Sequence, residues 1–434
     1  MIVCFALFFA FVLACLLAGW SVSWALTGGL LLFWGNGLKC GFTMKQLWDM
    51  AWTQCRRSFI VIRIILFIGI ITGLWRASGT IAACITYGVS LIRPSLFLVT
   101  AFLLCAGMSY ILGTSYGVSS TMGVILMTLA RSGGVDATVA AGVVLSGVYF
   151  GDRCSPASSA AALVAAMTET ELYSNVKQML RTGLLPTVLT IAIYLPLSLR
   201  HPLGQVDSSV LTALEDGFFI HWAVLIPALL MLVLPLFRVS LGRALLSSIA
   251  LSAILAMTAQ GYSFGELLRI SVLGCHWEDS PLEQVLGGGG IVSMKAACTV
   301  VLLTGLLSGI LKGNGCLASL GQISERLAKR LGRFPAMVVV SAVCASVLCN
   351  QAVTTMLDAQ MMGKCYDNRE ELAMDIENSG ILIAGLIPWS IACSVPLAML
   401  GSNAASLPYA ALLWLIPLCY GGTKRWFYPK GTES

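Results

Sequence analysis

Residues 147–156 read GVYFGDRCSP, an apolar run that ends in charged and helix-breaking residues. Gly151 and Pro156 disfavour a helix interior, so the helix that the apolar run predicts should break here. Backbone groups freed at membrane depth need partners from protein or from a water-filled cavity. The stretch therefore predicts a broken transmembrane helix that lines a polar site. Breaks of this kind are expected at 113–117, 151–156, 350–351 and 387–390.

The composition of the whole chain is that of a membrane protein. Of the 434 residues, 58% are hydrophobic and 11% are charged, whereas soluble domains carry about 25% charged residues. Apolar runs close to the roughly 20 residues that cross a bilayer recur along the chain. The net charge of +6 comes from scattered Lys and Arg, which is typical of cytoplasmic anchors rather than of nucleic-acid binding. We predict an all-α polytopic membrane protein and exclude a soluble enzyme.

Two pairs of segments suggest an internal repeat. The Gly41-Phe42-Thr43 segment with Gln46-Leu47 recurs 220 residues later as Gly261-Tyr262-Ser263 with Glu266-Leu267. The apolar run that ends at Gly113-Thr114-Ser115 is echoed by a run that ends at Asn350-Gln351. The alternative is coincidence in a chain rich in Leu and Ala. The echoes predict an N-terminal transmembrane repeat at 1–200, a connector at 201–217 and a C-terminal transmembrane repeat at 218–434.

The charges of the matched segments predict opposite orientations. Residues 36–57 contain four Lys or Arg and one acid, whereas residues 261–285 contain one Arg and four acids. By the positive-inside rule the first segment is cytoplasmic, and its copy and the connector 201–217 are periplasmic or extracellular. We therefore predict two inverted-topology repeats whose broken or re-entrant helices meet near the bilayer midplane. This is an architecture of secondary transporters.

Asp152 is the foremost functional candidate, because a charge within an apolar stretch is costly and commonly functional. Freed carbonyl oxygens and the hydroxyls of Ser155, Ser158 and Ser159 add hard oxygen donors, which suit a small cation. Desolvation favours a neutral carboxyl group, so Asp152 can exchange a cation for a proton. Asp152 and Ser155 are the predicted Na+ ligands. The alternative is a structural ion pair between Asp152 and Arg153.

The second half contributes Glu377 as a further coupling residue, because it precedes a glycine that can break a helix. Asp375 is expected at the membrane surface, and the roles of Arg63 and Asp358 stay open. Further candidates for substrate or ion binding are Thr114, Ser115, Asn350, Gln351, Asn378, Ser379, Trp389 and Ser390.

Residues 113–117 also match the GxSxG pattern of serine hydrolases, which would make Ser115 a nucleophile. That motif works at a strand-to-helix turn beside a histidine base. Here the motif lies between predicted helices, so we predict no enzyme activity.

The motifs together resemble the NhaC-type Na+/H+ antiporter family of the ion transporter superfamily. The resemblance rests on GTSYG at 113–117, GVYFGDRCSP at 147–156, ENSG at 377–380 and IPWS at 387–390. It implies a bacterial inner-membrane antiporter, and some relatives exchange organic acids or amino acids. This chain departs from the family pattern at Ser159, Asn378 and Ser390, where the family tends to carry Asp, Asp and Asn.

The sequence thus predicts a secondary active transporter. We expect a proton-coupled antiporter of the Na+/H+ type with alternating access and Asp152 as the coupling carboxylate. The alternative is exchange, or proton- or Na+-coupled transport, of a small organic acid or amino acid. The predicted partners are a small cation or small organic solute and the lipid bilayer, with no cofactor and no nucleic acid. A homodimer, the transported species and the stoichiometry stay open.

Overall fold

The computed structural model describes residues 2–18, 20, 22–91, 93–204, 217–237, 239–277, 283, 286–313 and 320–428. Over these ranges the chain is helical, and the β pairing is limited to one bridge between Cys275 and Gly288. The predicted all-α polytopic architecture is confirmed. Residues 205–216 of the predicted connector lie outside the described ranges.

The α-helices are α1 (Ile2–Leu17), α2 (Val22–Lys39), α3 (Met44–Ala77), α4 (Thr80–Leu91), α5 (Phe97–Leu112), α6 (Ser115–Val118), α7 (Val124–Ser132), α8 (Ala137–Cys154), α9 (Ser159–Thr168), α10 (Leu172–Arg200), α11 (Ile226–Val233), α12 (Leu241–Thr258), α13 (Phe264–Leu273), α14 (Gly290–Ser293), α15 (Lys295–Gly313), α16 (Leu320–Leu331), α17 (Arg333–Leu348), α18 (Gln351–Met362), α19 (Arg369–Glu377), α20 (Gly380–Leu386), α21 (Ile391–Met399) and α22 (Ala411–Phe427). Five 3-10 helices and one π-helical turn complete the helical segments: Pro94–Leu96, Trp222–Leu225, Leu234–Phe237, Gly363–Cys365, Ala404–Tyr409 and, as the π turn, Ser119–Gly123.

Among the described residues, five helical stretches are long and apolar enough to cross a bilayer. They are Ser58–Ala77, Pro94–Leu112, Leu172–Arg200, Leu241–Thr258 and Lys295–Gly313. A sixth span is formed if Arg369–Leu386 and Ile391–Met399, which meet at a bend of 56°, cross as one broken helix. Long apolar helices of this kind satisfy their own backbone hydrogen bonds, which lipid requires.

Helix breaks occur at matching places in the two halves. After α5, Gly113 is left-handed (φ 64°) and Thr114 is extended before α6 begins. After α17, Cys349 is left-handed (φ 56°) and Asn350 is extended before α18 begins. The two breaks therefore have the same backbone shape.

A second pair of helix breaks also occupies corresponding places in the chain. Helix α8 ends at Cys154 and α9 begins after Ser158, while α20 ends at Leu386 and α21 begins after Ser390. The expectation that Gly151 itself breaks the helix is wrong, because α8 continues through it. The interruption runs from Ser155 to Ser158.

The first predicted pair of repeated segments has matching helix N-caps in the structure. Thr43 at the start of α3 and Ser263 at the start of α13 each form a capping box, with ψ of 156° and 157°. Each hydroxyl satisfies an N–H group that the first helical turn leaves free. These matches support a repeat, and the inverted orientation of the halves stays a prediction.

Cysteine labelling tests that orientation. Lys45→Cys and Glu283→Cys are placed in a background with Cys40→Ser, since Cys40 alone is exposed among the described cysteines. We expect a membrane-impermeant maleimide to label position 283 in intact cells and position 45 only after permeabilisation, because the Lys and Arg residues retain their segment in the cytoplasm. Labelling of both positions from one side would contradict the inverted repeat.

Candidate functional site

The helix breaks meet in pairs within each half. A Cβ atom on Gly113 would lie 2.5 Å from the backbone nitrogen of Ser158, so the first break packs directly on the start of α9. In the second half, the Ile391 N–H donates to the Cys349 carbonyl at 2.9 Å. Each half therefore brings the free backbone groups of its two interrupted spans together.

The carboxylate of Asp152 lies where the end of α8 meets the start of α18. Asp152 occupies the last turn of α8 and is 6% exposed. The Gln351 side chain donates Nε2–H to Asp152 Oδ2 at 3.1 Å and to the Ile381 carbonyl, also at 3.1 Å. The backbone N–H and hydroxyl of Ser115 are directed at the same carboxylate. The first residue of α6 and the first residue of α18 thus both face Asp152.

Arg153 turns away from Asp152. Its Nη2 donates to the Met179 carbonyl at 3.1 Å, to Thr182 Oγ1 at 2.8 Å and to Asn378 Oδ1 at 2.7 Å. Asp152 and Arg153 therefore do not form the ion pair that was the alternative interpretation. Arg153 instead ties α8 to α10 and to the break before α20.

Glu377 is a second buried carboxylate close to this cluster. It is 0% exposed, and neither carboxylate oxygen has a hydrogen-bond partner within the described residues. Its charge interacts with those of Arg153 and Asp152. A buried ionised carboxylate without partners is unfavourable, so Glu377 depends on nearby positive charge or on protonation.

Several predicted hydroxyl and amide groups cap the interrupted helices. Thr114 Oγ1 accepts from the Gly117 N–H at 3.4 Å, and Asn350 Oδ1 accepts from the Val353 N–H at 3.1 Å. Ser390 Oγ accepts from the Ala392 N–H at 3.3 Å. These side chains satisfy N–H groups that a helix start leaves free. Their hydrogen bonds therefore stabilise the points at which the helices restart.

The three serines after Asp152 have different surroundings. Ser158 caps α9 and donates to the Asp152 carbonyl at 2.5 Å, and buried Ser155 accepts from the Ala157 N–H at 3.0 Å. Ser159 has an exposed side chain. Of the three, Ser158 has the direct hydrogen bond to Asp152, through the main chain.

The remaining predicted residues lie around the second break. Ser379 Oγ donates to the Asp375 carbonyl and lies 3.3 Å from Ser341 Oγ. Trp389 Nε1 donates to the Ser346 carbonyl at 2.7 Å. Both side chains therefore hold neighbouring helices against the interruption.

Asp375, which is expected at the membrane surface, is enclosed by protein, and its depth in the membrane stays a prediction. Its side chain is 0% exposed and binds Lys424 Nζ at 2.5 Å. The hydroxyls of Tyr366 and Tyr420 donate to the same carboxylate at 2.5 and 3.0 Å. A cation and two hydroxyls offset the cost of burying this charge. The sequence gives no local sign of this cluster, because its members are distant in the chain.

The last turn of α8 is positioned by small residues. A Cβ atom on Gly151 would lie 1.9 Å from the carbonyl carbon of Ser109, and one on Gly147 would lie 2.7 Å from the Phe102 oxygen. The Ser109 hydroxyl also donates to the Val148 carbonyl. Two glycines four residues apart let helices approach closely in membranes. Close packing on α5 therefore fixes the depth of Asp152.

Comparison with known proteins identifies the family. The model of the Na+/H+ antiporter family matches residues 1–163 and 147–422. The chain belongs to this family. Because it is a family of transporters, the protein is a secondary active antiporter and a multi-pass membrane protein, and the serine-hydrolase hypothesis for Ser115 is dropped.

Individual antiporters are similar over most of their length. The chain is 26% identical over 409 residues to the malate-2H+/Na+-lactate antiporter of Bacillus subtilis (strain 168), covering 90% of this chain and 87% of the relative. It is 27% identical over 396 residues to the Na+/H+ antiporter NhaC of the same strain, covering 87% and 86%. NhaC of Alkalihalophilus pseudofirmus is 26% identical over 368 residues, covering 82% and 79%.

A substitution at Gly151 tests how the antiporter positions Asp152. Gly151→Ala places a methyl group against the Ser109 backbone, and we expect it to destabilise the fold by about 1–3 kcal/mol and to reduce transport. Gly107→Ala is the matched control on α5, since its Cβ atom would meet nothing within 4 Å. Thermal unfolding in detergent measures both variants. Equal unfolding temperatures for the two variants would contradict the close contact.

Proposed function

We propose that this antiporter exchanges H+ for Na+ across a bacterial cytoplasmic membrane, with Asp152 as the coupling carboxylate. The observation that supports this most directly is the hydrogen bond from Gln351 to Asp152, which joins the breaks of the two halves. A carboxylate at this point can be neutralised by a proton or by a cation. Binding of one then opposes binding of the other, which is the requirement for exchange.

The charges around Asp152 suit a single monovalent cation. Asp152 and Glu377 carry two negative charges when ionised, and Arg153 carries one positive charge that acts on Glu377. One negative charge is left over, and one Na+ or one H+ balances it. Oxygen donors next to the carboxylate include the Ser115 hydroxyl, and hard cations prefer such oxygens.

If the two halves are inverted, the position of Asp152 between their broken helices provides a route to alternating access. Asp152 and Ser115 belong to the first half, whereas Gln351 belongs to the second. A movement of one half against the other would break or form the Gln351–Asp152 hydrogen bond and expose Asp152 to opposite sides in turn. Transporters built from inverted repeats commonly move in this way around a fixed site.

A second candidate function is exchange of a small organic acid. Arg153 supports it, because its Nε has no hydrogen-bond partner within the described residues and the side chain is 1% exposed. A guanidinium group with free donors binds carboxylates well. The B. subtilis relative named for malate and lactate is in keeping with this chemistry.

A panel of solutes separates the two functions. The purified protein is reconstituted into liposomes that contain a pH-sensitive dye, and Na+, K+, Li+, lactate, malate and amino acids are added in turn. We expect a proton signal with Na+. A signal with an organic solute and none with Na+ would assign the second function.

Asp152→Asn tests the coupling role. Asn retains the volume and much of the hydrogen bonding but cannot titrate, so we expect loss of proton-coupled transport in a folded, membrane-inserted protein. Asp136→Asn is the control on the same helix: Asp136 caps the start of α8, and Asn caps helices equally well. The dye assay measures both variants. Undiminished proton coupling in Asp152→Asn would reject Asp152 as the carrier.

A further inference from the structure

Another buried carboxylate, Asp358, lies away from the Asp152 cluster. It is 0% exposed in the middle of α18. Ser341 Oγ donates to Asp358 Oδ2 at 2.7 Å, and Oδ1 has no hydrogen-bond partner within the described residues. One neutral hydroxyl is little compensation for a buried negative charge.

Within the described residues, no positively charged side chain forms an ion pair with this carboxylate. The ion pairs among the described residues involve Glu283, Asp367, Glu371 and Asp375, and none involves Asp358. Asp375, by comparison, is buried to the same degree and binds Lys424 at 2.5 Å. Asp358 therefore needs a proton or a cation from outside the chain.

Three hydroxyl groups belong to Ser341, which contacts Asp358, and to two residues close to it, Ser379 and Thr354. Ser341 lies 3.3 Å from the hydroxyl of Ser379, at the break between α19 and α20. Thr354 lies one helical turn before Asp358 on the same face of α18, and its buried hydroxyl has no hydrogen-bond partner within the described residues. Three hydroxyls and a carboxylate make a set of hard oxygen ligands.

The absence of a side chain at Gly380 makes room for the Asp358 carboxylate. A Cβ atom there would lie 2.5 Å from Asp358 Oδ2. The next residue, Ile381, accepts from Gln351, which also donates to Asp152. The first turn of α20 therefore borders both carboxylates.

A buried polar stripe connects the two carboxylates. Gln351, Thr354, Thr355 and Asp358 recur at the three- and four-residue spacing that defines one helix face. Seven residues of α-helix span about 10 Å along the axis, which separates the Gln351 and Asp358 backbones. Thr354, Thr355 and Asp358 are each at most 1% exposed.

We propose that Asp358, with Ser341, Thr354 and Ser379, forms a second site for the transported monovalent cation. This proposal rests on the proposed exchange of Na+ for H+ and gives the exchanged cation a second binding position. The polar stripe of α18 leads from the Asp152 site to the Asp358 site, and each site holds one Na+ or one H+.

Sodium binding in the Asp152→Asn protein tests this second site alone. The purified, detergent-solubilised protein is titrated with radioactive Na+ in a scintillation proximity assay. We expect saturable binding to persist in Asp152→Asn and to be lost in Asp152→Asn/Asp358→Asn. Loss of all binding in Asp152→Asn, or unchanged binding after the second substitution, would overturn the second site.

Two milder substitutions cover the case in which Asp358→Asn impairs folding. In the Asp152→Asn background, Ser341→Ala and Gly380→Ala should each weaken Na+ binding by on the order of tenfold, the effect of one lost or displaced ligand. Ser252→Ala and Gly107→Ala are the controls, because Ser252 is a buried hydroxyl of α12 and Gly107 has free space around it. Equal affinities in site and control variants would also overturn the second site.

The binding assay and the transport assay fail independently. If Asp152→Asn retains full proton coupling, the proposed role of Asp152 is wrong, while Na+ binding that depends on Asp358 would still support the second site. If Asp152→Asn abolishes both transport and Na+ binding, the proposed function stands and the second site is rejected.

Discussion

The hydrogen bond between Gln351 and Asp152 is possible because the last turn of α8 lies next to the first residue of α18. A broken helix in a bilayer exposes N–H and C=O groups, each of which costs several kcal/mol if it meets lipid. The fold meets this constraint by packing break against break and by capping the restarted helices with Thr114, Ser158, Asn350 and Ser390. The candidate functional side chains lie next to these packed breaks. They are therefore surrounded by the same polar backbone groups and shielded from lipid.

The buried charges of this protein are stabilised in three different ways. Asp375 has a protein cation and two phenol hydroxyls, which suits a fixed structural role. Arg153 has three neutral oxygen acceptors and holds helices from both halves together. Asp152 and Asp358 each have few donors and no ion pair within the described residues. Only the last kind leaves room for an exchangeable cation, because a fully paired charge gains little from binding one.

Local signals in the sequence predicted much of this arrangement. Hydropathy gave the membrane class, and the polar residues at 114–115 and 350–351 marked two of the breaks. The exact end of α8 was missed, because Gly151 serves helix contact with Ser109 rather than interruption. The left-handed residue at the second break is Cys349, whose side chain gives no warning of that conformation. Partners such as Asn378 for Arg153 are set by tertiary packing, which a sequence pattern does not encode.

Charge balance links the two proposed cation positions. The Asp152, Glu377 and Arg153 set carries one net negative charge when all three are ionised, and so does Asp358. A monovalent cation that moves from one position to the other therefore meets the same net charge at both, and its electrostatic free energy changes little. Transport requires binding strong enough to admit the ion and weak enough to release it. Two singly charged positions, linked by a stretch of α18 that rises about 10 Å between Gln351 and Asp358 and carries hydroxyl groups, meet that requirement better than one position with two unpaired carboxylates.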